Sequence, residues 1–565
     1  MITKNLKNRI FNLVLIITIG LFFSNNSYGN EKIINYLGTF SNTDSSISYQ
    51  TKSCIKFRSY DGESKIEVKY MGEITVSDDD TKIKSISPGG YLRFSKKTFG
   101  NKRTINIDSD NNGKLKYEYY EGRKEISFEP EGRRWLEDIL LEVIRASGID
   151  AEGRVERIYA KSGINGVISE IKEMKYGNII NKYFSSLLKN NDLNEKETKL
   201  VCEKITILIP SNTDRATLYR KYADVFMKTN DLTCTYFNCV SSLCSNTERA
   251  SIFRNIEKEI DFSDDNVIDA YFNSINKLTS SIEAGSTLRH LVKNQQINDK
   301  AMVAMLRCIR RISSNTEVGS TMRNLENVNF SNPDILSTYF EVVNTITSNT
   351  EAGSILKKLI REQELDNQTM VELLRTVKKL TSNTEIGSIL RKIKNIDFEN
   401  DEVRIAYFAV INTMTSNTEE GSVLRYTLNS FELNKAAFLD FYYTTKRLTS
   451  NTELGLVIRE SINMLPYDDD ILAAFFLAVN SILSNTEHGR VLRMLLDKEN
   501  IPEKVIIMTL ESTKKILSNI EIGSVLIKVC EMGATKNEEV RAKYLEIAKN
   551  LNSNSEYKRV MDCLN

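Results

Sequence analysis

Ser348-Asn349-Thr350-Glu351-Ala352-Gly353-Ser354-Ile355-Leu356 is the stretch that decides the fold. Its first four residues return, with small changes, about every 34 residues from the middle of the chain to its end. The acid of the motif falls at Asp214, Glu248, Glu283, Glu317, Glu351, Glu385, Glu419, Glu453, Glu487, Glu521 and Glu556. The steps are 34 residues, or 35 at Glu283 and Glu556. A fixed period of this length is the mark of stacked supersecondary units. The expected fold is therefore mostly α: a right-handed α-solenoid of ~34-residue helical hairpins, preceded by a small antiparallel β domain.

Each part of the stretch has a local physical meaning. Ser348 and Glu351 have the spacing of a capping box, in which each side chain satisfies a backbone N–H at a helix start. Ser382 with Glu385 and Ser416 with Glu419 repeat it. A good N-cap contributes about 0.5–2 kcal/mol, so the most visible motif needs no chemistry to explain it. Glycine inside a helix costs roughly 1 kcal/mol relative to alanine. Its return at Gly353, Gly387 and Gly421 therefore predicts that another backbone approaches closely there.

The second helix of each unit starts about 18 residues after the capping serine. Pro333, Pro466 and Pro502 lie near that phase, where a first helical turn tolerates proline. Met370, Leu373, Leu374 and Val377 form its apolar face. A weaker copy begins near Gly177, which gives about eleven hairpins, and Ser553 opens a single closing helix.

One further column follows the acids by six residues: Arg220, Arg254, Arg289, Arg323, Lys357, Arg391, Arg425, Arg459 and Arg493, ending at Ile527. It has two readings. Each cation meets a carbonyl or acid of the adjacent repeat, or the column is a stripe for an anionic polymer or acidic partner. Lys plus Arg at 76 against Asp plus Glu at 75, a net charge of +1, favours the ladder and gives no pull toward nucleic acid.

At 565 residues the chain is too long for one compact core. Residues 1–29 read as an export signal: Lys4, Lys7 and Arg9, an apolar run from Ile10 to Phe23, then Ser27 and Gly29 at small-residue cleavage positions. That run has 14 residues, short of the roughly 20 that span a bilayer. The expectation is an exported protein, periplasmic or extracellular, starting near Asn30. Of eight cysteines, Cys234, Cys239 and Cys244 lie five apart on one predicted helix and read as buried thiols. Cys530 and Cys563 occupy similar phases of adjacent repeats and could bridge if their Cα atoms come within about 7 Å.

Residues 30–128 alternate with period two, as at Ile66, Val68 and Tyr70, and are punctuated by Pro88-Gly89-Gly90, Asn112-Gly113 and Glu121-Gly122. This predicts a small antiparallel sandwich or meander. Asp108, Asp110, Asn112 and Gly113 imitate the opening of a calcium loop, yet Tyr119 stands where its bidentate glutamate belongs. A polar hairpin turn explains the same residues. Residues 129–176 switch to helical spacing from Trp135 onward, with Trp135 expected as a packing anchor between head and array, and 177–565 form the repeats. His290 and His488 are the only histidines and are expected on helix surfaces, not as ligands. Nucleophile elbows, phosphate loops, dinucleotide fingerprints and zinc cysteine pairs are absent, so neither a catalytic residue nor a cofactor is expected.

The 34-residue period equals that of tetratricopeptide repeats, but there leucine and glycine are paired directly, whereas Gly353 precedes Leu356 by three. The chain resembles a group of bacterial exported proteins with a Pro-Gly-Gly-Tyr-Leu strand (Pro88 to Leu92), a Trp-Leu helix (Trp135, Leu136), a linker like Arg154 to Gly166, and HEAT-like capped hairpins. The resemblance implies a link to envelope signalling, though this chain lacks the paired-histidine protease helix of some such proteins. The functional expectation is a non-enzymatic protein-interaction scaffold of the bacterial cell envelope. The alternative is a carbohydrate or anionic envelope-polymer binder.

Overall fold

The computed structural model describes residues 48–50, 54–60, 64–189 and 193–564, the first two stretches as backbone only. The export segment 1–29, the Cys54 side chain and the Asp61-Gly62 turn lie outside the described residues. The chain divides into two compact units, Met1–Arg154 and Val155–Asn565. Among the described residues no helix is long and apolar enough to cross a membrane.

Among the described residues of the first unit, nine strands are β1 (Ser48–Gln50), β2 (Cys54–Tyr60), β3 (Ser64–Met71), β4 (Ile74–Val76), β5 (Ile83–Ile86), β6 (Tyr91–Thr98), β7 (Asn101–Ser109), β8 (Leu115–Glu121) and β9 (Lys124–Ile126). Seven pair in the order β1-β2-β3-β6-β7-β8-β9, and β4-β5 form a separate two-stranded ribbon. Every pairing is antiparallel, so of the two expected architectures the meander is the one present.

Period-two alternation works here through register. Val68, Phe94, Ile105 and Tyr119 are directly opposite one another across four strands, and all four are buried. Gly90 opens β6 because a Cβ there would come within 2.6 Å of the Met71 carbonyl oxygen. Trp135 lies on helix α1 (Arg133–Ser147) and packs on Phe94 and Tyr119, with ring centroids 5.7 and 5.8 Å away. It was expected as an anchor between head and array, but it belongs to the core of the first unit. The division at residue 154 likewise falls inside the stretch expected to be a separate junction. Helix α2 (Ala151–Lys172) runs across that division, broken at Gly163, where φ is 62°.

Among the described residues the second unit holds, after helix α2, an array of eleven helical hairpins, from Gly177–Lys189 with Glu195–Leu208 to Asn519–Glu531 with Glu538–Ala548. Asn554–Asp562 closes it as a single helix. First helices pack on first helices and second helices on second helices of the next hairpin. Buried faces such as Ile355, Leu356, Leu373, Leu374 and Val377 supply the cohesion. A fully buried side chain of this kind contributes about 1.5–3 kcal/mol, more than a cap. The caps fix where each helix starts; the faces hold it.

In the middle of the array the structural repeat is longer than the motif. Five consecutive first helices in the middle of the array alternate between 14 and 8 residues: Ser281–Asn294, Asn315–Met322, Asn349–Glu362, Asn383–Leu390, Asn417–Ser430. The loops after two short helices, and the loop at Phe262, carry a phenylalanine that packs on a Tyr-Phe pair: Phe262 on Tyr271 and Phe272, Phe330 on Tyr339 and Phe340, Phe398 on Tyr407 and Phe408. In the hairpin that follows, a glutamine just past the long helix reaches back: Gln295 to the Ile260 carbonyl at 2.7 Å and Gln363 to that of Val328 at 3.5 Å. In this middle stretch the unit is thus a pair of hairpins.

Candidate binding surface

Residues that the fold already uses must be separated from those it leaves over. At each motif the serine acts as expected: Ser348 Oγ accepts from the Glu351 N–H at 3.3 Å, and Ser382 and Ser416 do the same for Glu385 and Glu419 at 3.4 Å. The reciprocal half of the capping box is absent from these helices. Its only full example among the described residues is Asn194 with Glu197. The motif glutamate does something else.

Its carboxylate faces the preceding hairpin. Glu317 Oε2 takes Arg289 at 2.8 Å, Glu351 takes Arg323 at 2.6 Å, Glu385 takes Lys357 at 2.9 Å, Glu419 takes Arg391 at 3.0 Å and Glu453 takes Arg425 at 2.9 Å. Arg459 pairs with Glu487 in the same way, Arg493 with Glu521 at 2.5 Å, and the series begins with Arg220–Glu248 and Arg254–Glu283. The column of cations is a ladder between hairpins. It ends at Ile527, and there Glu556 is met instead by Arg559 of its own helix at 2.7 Å.

The recurrent glycine has the same cause. A Cβ at Gly319 would stand 2.1 Å from Glu351 Oε2, and one at Gly353 would stand 2.3 Å from Glu385 Oε2. The close neighbour is therefore the next hairpin's carboxylate and not, as expected, its backbone. Glycine and cation are four residues apart on one helix, so they share the face that this carboxylate meets.

The asparagine closes the joint. Asn349 Oδ1 accepts from the backbone N–H of Thr381 at 2.9 Å and of Ser382 at 3.3 Å, while its Nδ2 donates to Thr381 Oγ1 at 3.0 Å. Asn383 and Asn417 hold Thr415–Ser416 and Thr449–Ser450 in the same grip. Asn, Glu, Gly and Arg of the repeat are accounted for by joining one hairpin to the next, and Ser by capping its own helix.

Against this rule four apolar residues stand out. Leu483 and Leu517 occupy the place of Thr381, Thr415 and Thr449, and Ile282 and Ile520 occupy that of the motif threonine, Ile282 alone several hairpins earlier and 67% exposed. Asn451 and Asn485 still accept from the Leu483 and Leu517 N–H groups, at 2.6 and 2.7 Å. The leucines have no hydroxyl for the asparagine's Nδ2 and are each 85% exposed; Ile520 is 64% exposed. Adjacent hairpins therefore show water a group of large apolar side chains where the fold's own pattern calls for threonine. Isolated exposed leucines need no explanation, but grouped ones mark interaction surfaces. The sequence signal was present as departures from the column, hidden because the column itself had no assigned role.

Titratable groups cluster elsewhere. His488, expected on a surface, is 1% exposed, because the position after the motif acid points inward, as Val318, Ile386 and Leu454 also do. Its Nε2 lies 2.8 Å from Ser512 Oγ, which donates to Asn480 Oδ1 at 2.7 Å. The serine's proton is committed to Asn480, so the imidazole donates to the serine and does not activate it. Burial lowers the His488 pKa to about 4. His290 Nδ1 meets the buried Glu257 carboxylate, whose pKa burial raises to about 8.

The calcium-like residues form the β7–β8 turn. Asp110 Oδ1 accepts from the Asn112 and Lys114 N–H groups at 2.9 and 2.8 Å, Gly113 has φ 81°, and Asp108 pairs with Arg93 at 3.0 Å. Among the described residues no group of three or more His, Cys, Asp or Glu could hold a metal.

No protein-family model matches the chain, and no curated protein matches it. Among solved structures, a chain of the homology model of the full-length AP-3 complex in an intermediate open conformation is 12% identical. That match covers 75% of this chain and 88% of that one, with a TM-score of 0.28. SYS-1 matches at 11% identity over 76% and 89%, TM-score 0.18, and the Chs5-Bch1 exomer cargo adaptor complex at 10% over 84% and 84%, TM-score 0.14. At such values the likenesses carry no argument about what this chain binds.

Proposed function

We propose that the protein is an exported, non-enzymatic interaction scaffold of the bacterial cell envelope, acting in envelope signalling, with the hairpin array presenting a surface to another protein. The observation that carries this is the exposed group Leu483, Leu517 and Ile520, the two leucines standing where the fold would be served by threonine. Hairpin arrays create extended binding surfaces of this kind. Large apolar side chains that add nothing to the array contribute binding energy when a partner covers them.

Export is supported by the signal-type segment at residues 1–29 and by the Cys530–Cys563 disulfide, whose Cα atoms are 6.3 Å apart. Disulfides persist in oxidising compartments. The alternative, an anionic-polymer binder, draws no support from the cation column. Each of Arg289, Arg323, Lys357, Arg391, Arg425, Arg459 and Arg493 already faces a carboxylate.

The test restores the column: Leu483→Thr with Leu517→Thr. These changes give the asparagines back a hydroxyl, so folding is expected to be unharmed. Crosslinking in native envelopes should recover a protein partner with the parent chain and lose it with the variant. Equal recovery from both would contradict the assignment.

A further inference from the structure

The turns that hold the exposed leucines belong to a second regularity. At the C-terminal ends of alternate second helices stand pairs of cations: Arg310-Arg311, Lys378-Lys379, Lys446-Arg447 and Lys514-Lys515, each 68 residues after the last. All of them are exposed. The second member of each pair is held alike: the Arg311, Lys379, Arg447 and Lys515 N–H groups donate to the Cys308, Thr376, Thr444 and Ser512 carbonyls at 3.0 or 3.1 Å. Among the described residues the side chains of these four make no hydrogen bond or ion pair. A cation at a helix C-terminus contributes about 0.3–1 kcal/mol through the helix dipole. In the hairpins between, the fold meets that need without charge. There the Thr345, Thr413 and Ser481 hydroxyls donate to the Val342, Val410 and Ala478 carbonyls at 2.7 Å. The four cations thus leave at the surface a charge that the array does not use.

Of these four, Arg447 and Lys515 frame the apolar group. Leu483 lies in the turn between theirs, and Leu517 and Ile520 follow Lys515 closely. The second helices of the same hairpins extend the group. Tyr443 on Lys435–Thr445 and Leu477 on Asp469–Val479 occupy one position of successive helices and are 54% and 42% exposed. In other hairpins that position is charged, at Arg307, Glu341, Arg375 and Glu511, or small, at Ala409. Tyr443 precedes Arg447 by four residues, which places it one helical turn before the cation. Two separate columns therefore turn apolar in the same stretch of the array, beside cations that nothing neutralises.

We propose that this edge binds an acidic segment of a protein partner, whose apolar side chains lie between its carboxylates. The inference rests on the scaffold reading above and names the chemistry of the partner. Carboxylates of the segment meet Arg447 and Lys515, and its apolar side chains cover Tyr443, Leu477, Leu483 and Leu517. A polyanion without apolar groups would satisfy the cations and leave the leucines in water. Packed helices lie about 8–10 Å apart, so cations two hairpins apart are separated by about 16–20 Å. An extended segment rises about 3.3 Å per residue and spans that distance in about five or six residues.

The test pans a random peptide phage library on the full chain and measures the selected peptides by fluorescence anisotropy. Peptides that need Leu483 and Leu517, shown by lost binding to Leu483→Thr with Leu517→Thr, should carry Asp and Glu around Leu, Ile or Phe. Arg447→Gln with Lys515→Gln should weaken them by about three- to tenfold at low ionic strength, and by less at high salt. Arg311→Gln with Lys379→Gln is the control, because the turns there carry Ser313, Thr347 and Thr381 in place of leucine. It should leave binding unchanged. Leucine-dependent peptides without excess acid, or with equal affinity for Arg447→Gln with Lys515→Gln, would overturn the acidic partner and leave the scaffold reading standing. Recovery of no leucine-dependent peptide would contradict both.

Discussion

Glu351 Oε2 sits 2.6 Å from Arg323 Nη1 and 2.1 Å from where a Cβ of Gly319 would be, although Arg323 and Gly319 belong to one hairpin and Glu351 opens the next. One carboxylate thus explains two columns of the repeat. The glycine leaves room for it, and the arginine neutralises it.

Gly319→Ala separates this cause from ordinary helix propensity. An exposed helical glycine gains about 1 kcal/mol on replacement by alanine. Here the added methyl displaces Glu351 from Arg323, so Gly319→Ala is expected to destabilise by about 1 kcal/mol. In a Glu351→Ala background the obstruction is gone, and the same change should stabilise by about 1 kcal/mol. Urea unfolding of the four chains reads the sign, and an unchanged sign would contradict the packing described.

Asn383→Ala removes a side chain that accepts from the Thr415 and Ser416 N–H groups and donates to Thr415 Oγ1. Water replaces part of this at an exposed joint, so the loss is expected to be about 1–2 kcal/mol. Hydrogen exchange should localise it: the Thr415 and Ser416 amides lose protection, while second-helix amides such as Leu374 keep theirs.

Glu420 stands in the inward column beside the motif acid, and burial raises its pKa from 4.5 to about 7. A carboxyl raised in this way favours the folded state below pH 4.5, and that contribution disappears as pH rises toward 7. A shift of this size corresponds to about 3 kcal/mol. Glu420→Leu, which copies Leu454, should therefore stabilise the protein by about 2–3 kcal/mol at pH 8 and by much less at pH 4. Thermal melts of both chains across that range check it.

His488 works with the opposite sign. Its pKa falls from 6.5 to about 4 through burial. Its contribution is complete above pH 6.5 and is lost as pH falls toward 4, because the unfolded chain takes up the proton first. Replacing it by leucine should flatten the acid side of the stability curve in that window. A curve of unchanged slope would show that the imidazole is not held neutral.

Much of this fold was legible from Ser348 to Leu356. The spacing of the acids located the hairpins and their number, because a helix start needs a cap wherever it occurs. Three things were not legible. The capping box and the ladder use the same glutamate, and only the direction of its carboxylate distinguishes them. The pairing of hairpins was masked because the cap recurs in every unit, while Phe330 and Phe398, which mark the pair, lie in loops 68 residues apart. Leu483 and Leu517 were invisible as a surface because threonine at Thr381 or Thr415 had no stated role until Asn349 and Asn383 were seen to hold it. Trp135 was expected between head and array, whereas its ring packs on Phe94 and Tyr119, for a related reason: spacing places a residue on a face but does not name the face opposite.

The central claim, that the repeated motif joins each hairpin to the one before it, is tested most directly by a double-mutant cycle on Arg391 and Glu419. The control cycle pairs Arg391 with Glu385, the cap acid of its own hairpin, whose carboxylate is held by Lys357. Urea unfolding should give a coupling of about 0.5–1.5 kcal/mol for Arg391→Ala with Glu419→Ala and none beyond about 0.3 kcal/mol for Arg391→Ala with Glu385→Ala. Additive losses in the first cycle, or equal coupling in both, would mean that the ladder between hairpins does not hold the array together.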